Sequence, residues 1–146
     1  VGMLFFPMEE GFREHCRVIV NDLIDEFNFT LLGYRKVPTN NTGLGDSAKA
    51  VEPWIEQVFV MPKEKLEPEV LERRLYVLRK FLTHHIQNHF PTRKDDFYFT
   101  SFSYKTLVYK GQLSTFQVRS YFPDLRDESF ASAIALIHSR FSTNTT

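Results

Sequence analysis

The stretch of sequence that decides the fold lies at residues 133–146, which read AIALIHSRFSTNTT. Five apolar residues, Ala133 to Ile137, run directly into a dense set of side chains that form hydrogen bonds. An apolar run of this length followed by polar residues is typical of a buried strand that carries polar groups to its end. The pattern therefore predicts a final strand at 133–137 and a functional site where that strand ends.

The polar residues after this predicted strand suit an anionic ligand. Arg140 carries a planar, permanently charged guanidinium that can hold a carboxylate through two parallel hydrogen bonds. The hydroxyl groups of Ser139, Ser142 and Thr143 add further donors. The same spacing also fits a simple turn in which Arg140 extends into solvent. The residues alone leave both interpretations open.

Upstream of this stretch, the apolar periodicity predicts a chain of alternating strands and helices. The predicted strands are Val1–Phe6, Phe29–Val37, Trp54–Met61, Phe97–Ser103 and Thr106–Tyr109, the last two forming a hairpin. The predicted helices are Glu9–Phe27, Pro68–His89 and Leu113–Tyr121, with a loop at 39–47 and a polar connection at 123–129. Paired strands and long amphipathic helices favour an α+β fold in a single domain, 1-146.

Five segments of the chain resemble one known family. His138–Thr145 resembles the glutamine-binding motif in the amidotransferase domain of glutamate synthases. The other segments follow one another in the same order as in that family, and they are Gly2–Pro7, Glu52–Val60, Val108–Gly111 and Tyr121–Leu125. The resemblance therefore covers essentially the whole chain.

This resemblance implies part of a four-layer αββα sandwich of the N-terminal nucleophile hydrolase type. In the family an N-terminal cysteine is the nucleophile, its α-amino group is the base, and a downstream asparagine and glycine form the oxyanion hole. Residues 1–146 match none of these parts. We therefore expect an internal portion of the amidotransferase domain, without catalytic residues and inactive alone, whose parent protein is an enzyme of glutamate biosynthesis and nitrogen assimilation.

The resemblance also implies roles for individual residues. Arg140 corresponds to the arginine that holds the α-carboxylate of L-glutamine, and Thr143 to the threonine that assists it. Phe141 and Asn144 fall at neighbouring pocket positions. The parent would hydrolyse glutamine to glutamate and ammonia for reductive transfer to 2-oxoglutarate. The alternative is a non-catalytic relative of the fold that binds an amino acid or serves in assembly.

Composition restricts the partners that we expect. The 18 basic and 18 acidic side chains give zero net charge, which does not favour nucleic acid or an anionic membrane. Cys16 is the one cysteine of the sequence, so this chain cannot ligate an iron-sulfur cluster alone. The FMN and the iron-sulfur cluster of the family would belong to other domains. His85 and His89 lie one helical turn apart, but no third ligand accompanies them, so we expect no metal.

The remaining expectations concern location and assembly. No apolar run approaches the roughly 20 residues that cross a bilayer, which favours a soluble protein without membrane contact. The single cysteine agrees with a reducing compartment, so we expect a cytoplasmic protein. Besides other domains of the parent enzyme, we expect a second copy of the chain as a partner, because exposed sheet edges promote homo-oligomers.

Overall fold

The computed structural model describes residues 1–138, which form a four-stranded antiparallel sheet and helices. The strands are β1 (Gly2–Phe6), β2 (Phe29–Lys36), β3 (Trp54–Pro62) and β4 (Tyr98–Phe102), arranged in the order β2-β3-β1-β4. The helices are α1 (Glu10–Glu26), α2 (Asp46–Ala50), α3 (Pro68–His89) and α4 (Thr115–Tyr121), with 3-10 turns at Pro91–Arg93 and Pro123–Arg126. The predicted α+β class is confirmed, whereas the four-layer sandwich stays a prediction.

Strand β1 lies inside the sheet between β3 and β4, and all five of its residues are buried. Its alternation sends Leu4 and Phe6 to the face that α1 and α3 cover, and Met3 and Phe5 to the opposite face. A strand that is buried on both faces reads as a continuous apolar run, which explains the sequence of β1.

The two long helices pack on one face of the sheet through apolar stripes at helical spacing. The predicted helices Glu9–Phe27 and Pro68–His89 are confirmed within one residue at each end. Each fully buried aliphatic or aromatic side chain contributes about 1.5–3 kcal/mol, so these stripes dominate the stability of the layer. The residues are Phe12, Cys16, Val20, Leu23 and Ile24 of α1, and Leu75, Leu78, Leu82 and Ile86 of α3.

A β-bulge interrupts the edge strand β2. The register passes from Leu31 opposite Val60 to Gly33 opposite Phe59, which leaves Leu32 without a partner and exposed. Gly33 has φ = 146°, a conformation that side chains disfavour, so a glycine is required there. The bulge twists this edge and makes it a poorer template for pairing with another strand.

The predicted hairpin at 97–109 is wrong in its second half. Strand β4 forms, but Thr106–Tyr109 does not join the sheet as a strand. The Ser103 hydroxyl accepts hydrogen bonds from the N–H groups of Lys105 and Thr106, which makes a serine turn instead of a two-residue hairpin turn. Beyond the turn, the side chains of Thr100 and Ser101 bond the backbone of Val108, where a hairpin would use the β4 backbone.

The predicted final strand at Ala133–Ile137 is also wrong. These residues are exposed, and no backbone hydrogen bond joins them to a strand within residues 1–138. An apolar run becomes a strand only where a neighbouring strand offers backbone partners, and periodicity cannot show whether that neighbour exists.

Three smaller differences complete the comparison with the predicted elements. The loop at 39–47 ends in α2, which begins at Asp46. Helix α4 begins two residues later than predicted because Ser114 and Gln117 form a capping box, in which Ser114 is the N-cap. The connection at 123–129 contains a 3-10 turn. Within residues 1–138, no helix combines the length and the apolar character that crossing a membrane requires.

Candidate functional site

The four residues predicted to bind glutamine, Arg140, Phe141, Thr143 and Asn144, lie outside the described residues. Their assignment stays a prediction. The structure does describe the other four segments that carry the resemblance, and it brings parts of all of them to one place. We call this place the motif face: the sheet face opposite α1 and α3.

The apolar part of the motif face is a small cluster beneath the sheet. Met3 and Phe5 come from the first segment, Ile55 from the second, and Tyr121 and Phe122 from the last. The Val108–Gly111 segment joins them, because the ring of its tyrosine meets the Phe122 ring edge-on, with 5.1 Å between the ring centres. Four stretches that are distant in sequence therefore share one buried core.

Asp124 is the centre of the polar part of the motif face. The Arg35 guanidinium donates from Nη1 to Asp124 Oδ2 at 2.8 Å and from Nη2 to Oδ1 at 2.6 Å. The Tyr109 hydroxyl donates to the same Oδ2 at 2.7 Å, and Arg35 Nη1 also donates to Gln57 Oε1 at 3.0 Å. We call these four residues the Asp124 cluster.

The charges of this cluster favour the ionised carboxylate. Hydrogen bonds from Arg35 lower the pKa of Asp124, against the opposing effect of its burial. Burial raises the pKa of Tyr109, and its hydrogen bond to Asp124 raises it further. The phenol therefore remains a hydrogen-bond donor at neutral pH, and the aspartate remains an acceptor.

A second set of bonds fastens the loop after β2 to helix α4. The Tyr121 hydroxyl donates to Glu52 Oε1 at 2.9 Å, and Asn41 Nδ2 donates to Glu52 Oε2 at 2.8 Å. The Asn40 N–H donates to the Tyr121 carbonyl at 2.8 Å. Burial raises the pKa of the Tyr121 phenol. The Glu52 carboxylate thus fixes both the loop and the start of the Tyr121–Leu125 segment.

On the opposite, helix-covered face, Trp54 and Glu56 form a separate polar cluster. Arg17 of α1 donates through Nε and Nη2 to the two Glu56 carboxylate oxygens, and the Trp54 indole N–H also donates to Glu56. The Arg13 guanidinium lies 4.1 Å from the centre of the Trp54 ring, which gives a cation–π contact. These bonds satisfy a buried carboxylate beneath a helix, so we assign this cluster to stability.

The described residues offer no activated thiol. Cys16 is fully buried in α1, and burial raises its pKa to about 12. Burial and the raised pKa both disfavour the thiolate, so Cys16 has the character of a structural core cysteine.

Metal ligands are also dispersed within residues 1–138. No three histidine, cysteine, aspartate or glutamate side chains lie close enough to hold a metal ion there. Two histidines of α3 contact aromatic rings: His85 stacks on Phe81, and His89 meets Phe90 edge-on.

Comparison with protein families matches residues 1–146 to the class-II glutamine amidotransferases. The chain belongs to this family. Relatives of this chain include glutamate synthases, which confirms the resemblance found in the sequence. The large chain of the NADPH glutamate synthase of Bacillus subtilis is 43% identical over 146 residues, which are 99% of this chain and 9% of that relative.

Two further relatives show the same pattern. The NADH glutamate synthase of Saccharomyces cerevisiae is 41% identical over 154 residues, and ferredoxin-dependent glutamate synthase 2 of Synechocystis is 38% identical over 145 residues. Each match covers 99% of this chain but 7% of the yeast relative and 9% of the Synechocystis relative. The chain therefore spans less than a tenth of these proteins, and their names differ in the electron donor.

Sequence reasoning missed the Asp124 cluster. Three members of the cluster lie inside segments that resemble the family but were not predicted as site residues: Asp124, Gln57 and Tyr109. The fourth member, Arg35, lies outside all of these segments. Alternation along β2 places Arg35 on the face opposite Tyr34. Alternation distinguishes the two faces of β2, but it does not show which face meets Asp124, which lies 89 positions away in the sequence.

Proposed function

We propose that this chain supplies the glutamine-binding portion of the amidotransferase domain of a glutamate synthase. The parent protein would hydrolyse glutamine to glutamate and ammonia, and would pass the ammonia to 2-oxoglutarate for reductive transfer. The observation that carries the proposal is the match of all 146 residues to class-II glutamine amidotransferases. Within this family, the 43% identity to a glutamate synthase large chain supports a glutamate synthase as the parent.

In this proposal the chain binds and orients the substrate. Arg140 holds the glutamine α-carboxylate in a bidentate ion pair, and Thr143 donates a further hydrogen bond. Phe141 forms a wall of the pocket, and Asn144 orients the substrate through its amide. The nucleophile and the oxyanion donors lie outside residues 1–146, so the chain positions the amide and other parts of the parent cleave it.

The parent of this proposal would also hold FMN and an iron-sulfur cluster, and this chain cannot hold the cluster by itself. A cluster of this kind is held by several cysteine thiolates, whereas Cys16 is alone and buried. We assign both groups to other domains of the parent, so neither takes part in the glutamine binding proposed for this chain.

A glutaminase assay on the full-length protein encoded by the gene tests this function. Arg140→Lys keeps the charge but removes the fork geometry, so we expect the KM for glutamine to rise about tenfold or more. Arg126→Lys is the matched control, since Arg126 is an exposed arginine 14 positions upstream. An unchanged KM in Arg140→Lys contradicts the assignment of Arg140. A wild-type protein that releases no ammonia from glutamine would instead favour a non-catalytic amino-acid-binding or assembly module.

A further inference from the structure

Asp124 is the last residue within 1–138 whose side chain bonds to the sheet. Residues 127–138 are all exposed, and their hydrogen bonds are local, such as those of the Ser129 N–H and hydroxyl to Asp127. One further contact to the motif face comes from Phe130, whose ring meets Tyr109 edge-on at 5.9 Å. The chain that leads to residue 140 therefore starts from a fixed point at Asp124.

The Asp124 cluster is built to hold that point firmly. Both carboxylate oxygens accept hydrogen bonds, and the donors come from β2 and from the segment after β4. Gln57 of β3 accepts from Arg35 and so fixes the guanidinium from a third element. The Asp124 side chain is 10% exposed and the Arg35 side chain is 43% exposed, so the carboxylate is the end of the pair that is shielded from water.

The cluster also sits next to apolar anchors. Phe122 is fully buried, Tyr121 is nearly so, and both belong to the core of the motif face. Apolar contacts fix depth, but they leave the direction of the following chain open, because dispersion and burial are not directional. A bidentate ion pair is directional, so Arg35 and Asp124 set the direction in which the chain leaves the sheet.

We propose that the Asp124 cluster positions the glutamine-binding residues, which makes Asp124, Arg35 and Tyr109 positioning residues of the amidotransferase. The proposal rests on the function proposed above. A binding site needs its groups held to within about half an ångström, and a segment fixed at one end loses less freedom when the ligand binds. Loss of the cluster should therefore weaken glutamine binding without changing the bond-breaking step.

Glutamine kinetics of the full-length protein test the proposal. We expect Asp124→Asn and Arg35→Met each to raise the KM for glutamine about fivefold to tenfold, with kcat within about twofold of the wild type. The double variant should be no worse than either single variant, because both residues act through one ion pair. Asp22→Asn, on the exposed surface of α1, is the matched control and should leave KM unchanged.

Hydrogen exchange of the bonded amides just after Asp124, which are those of Leu125, Asp127, Phe130 and Ala131, provides a readout that does not depend on glutamine. Faster exchange in Asp124→Asn together with the raised KM supports the proposal. Faster exchange with an unchanged KM overturns it, because the cluster would then order the segment without serving the site. Unchanged exchange also overturns it. An unchanged KM in Arg140→Lys would instead overturn the assignment of Arg140. The hydrogen-exchange result for the Asp124 cluster would still be valid in that case.

Discussion

The Arg17 guanidinium and the Glu56 carboxylate form a two-pronged ion pair that joins helix α1 to strand β3. The Glu56 side chain is 2% exposed and that of Arg17 is 23% exposed, so the pair lies largely out of water. Hydrogen bonding to Glu56 raises the pKa of Arg17, which keeps the guanidinium charged at every ordinary pH. The pair connects the helix layer to the sheet at a position where a carboxylate alone would be costly.

Replacing Arg17 by methionine should therefore destabilise the fold strongly. The substitution leaves the buried Glu56 charge without its cation, and breaking a buried pair in this way costs about 3 kcal/mol. Arg74→Met is the control, because Arg74 pairs with Glu64 on the exposed surface and should lose less than about 1 kcal/mol. Denaturant unfolding measures both values, and equal losses would contradict the structural role of the Arg17 pair.

A second prediction concerns the close packing at the start of β1. A methyl group on Gly2 would lie 2.8 Å from Val58 Cγ1, 3.1 Å from Phe99 Cε1 and 3.2 Å from Phe102 Cδ2. These neighbours are buried, so Gly2→Ala should cost about 1–3 kcal/mol through overpacking.

Two further variants make this test specific. Val58→Ala removes the nearest methyl group, so the Gly2→Ala substitution should cost less in that background than in the wild type. Gly11→Ala is the matched control, since no atom beyond its chain neighbours and the backbone of its own helix lies within 4 Å of the added methyl group, and alanine favours the helix. Equal effects at positions 2 and 11 in thermal unfolding would disprove the close packing.

The contrast between α3 and the final apolar stretch shows what periodicity can predict. Helix α3 occupies the predicted range Pro68–His89, because helical bonds are local and its apolar stripe repeats over several turns. The stretch Ala133–Ile137 has an equally clear apolar pattern, yet it forms no strand. Strand formation depends on a partner elsewhere, and a local pattern contains no information about that partner.

The same distinction applies to the candidate site. The ordered segments identified the family, and the bond between Tyr109 and Asp124 joins two of those segments. Arg35 could not be found in this way, because its ion pair spans 89 positions and depends on which face of β2 meets the C-terminal part of the chain. The turn at Ser103 likewise depends on a single hydroxyl, which accepts hydrogen bonds from the N–H groups of Lys105 and Thr106.

The pH dependence of stability should reveal the Asp124 cluster. Because Arg35 lowers the pKa of Asp124 in the fold, its stabilisation is fully present above the unfolded value of about 3.9 and is lost as the pH falls below it. Asp124→Asn should therefore be less stable than the wild type at pH 7, with the difference shrinking towards pH 2. Unfolding measured across this range tests the sign, and a difference that stays constant would show that the carboxylate charge contributes nothing.

The exposed apolar residues after the 3-10 turn at Pro123–Arg126 give the last prediction. Ile134, Leu136 and Ile137 are 78%, 97% and 86% exposed, which is unusual for three aliphatic side chains so close together. We expect the 146-residue chain to self-associate through them, and the Ile134→Ser, Leu136→Ser, Ile137→Ser triple variant to shift the chain towards monomer. This shift would distinguish an interface formed by the apolar stretch from one formed by the sheet edges, because the substitutions leave the sheet edges unchanged. Sedimentation velocity at increasing concentration measures the fraction of monomer.

Unchanged association in the triple variant would indicate that the interface lies at a sheet edge such as β4. A wild-type chain that stays monomeric would contradict self-association altogether.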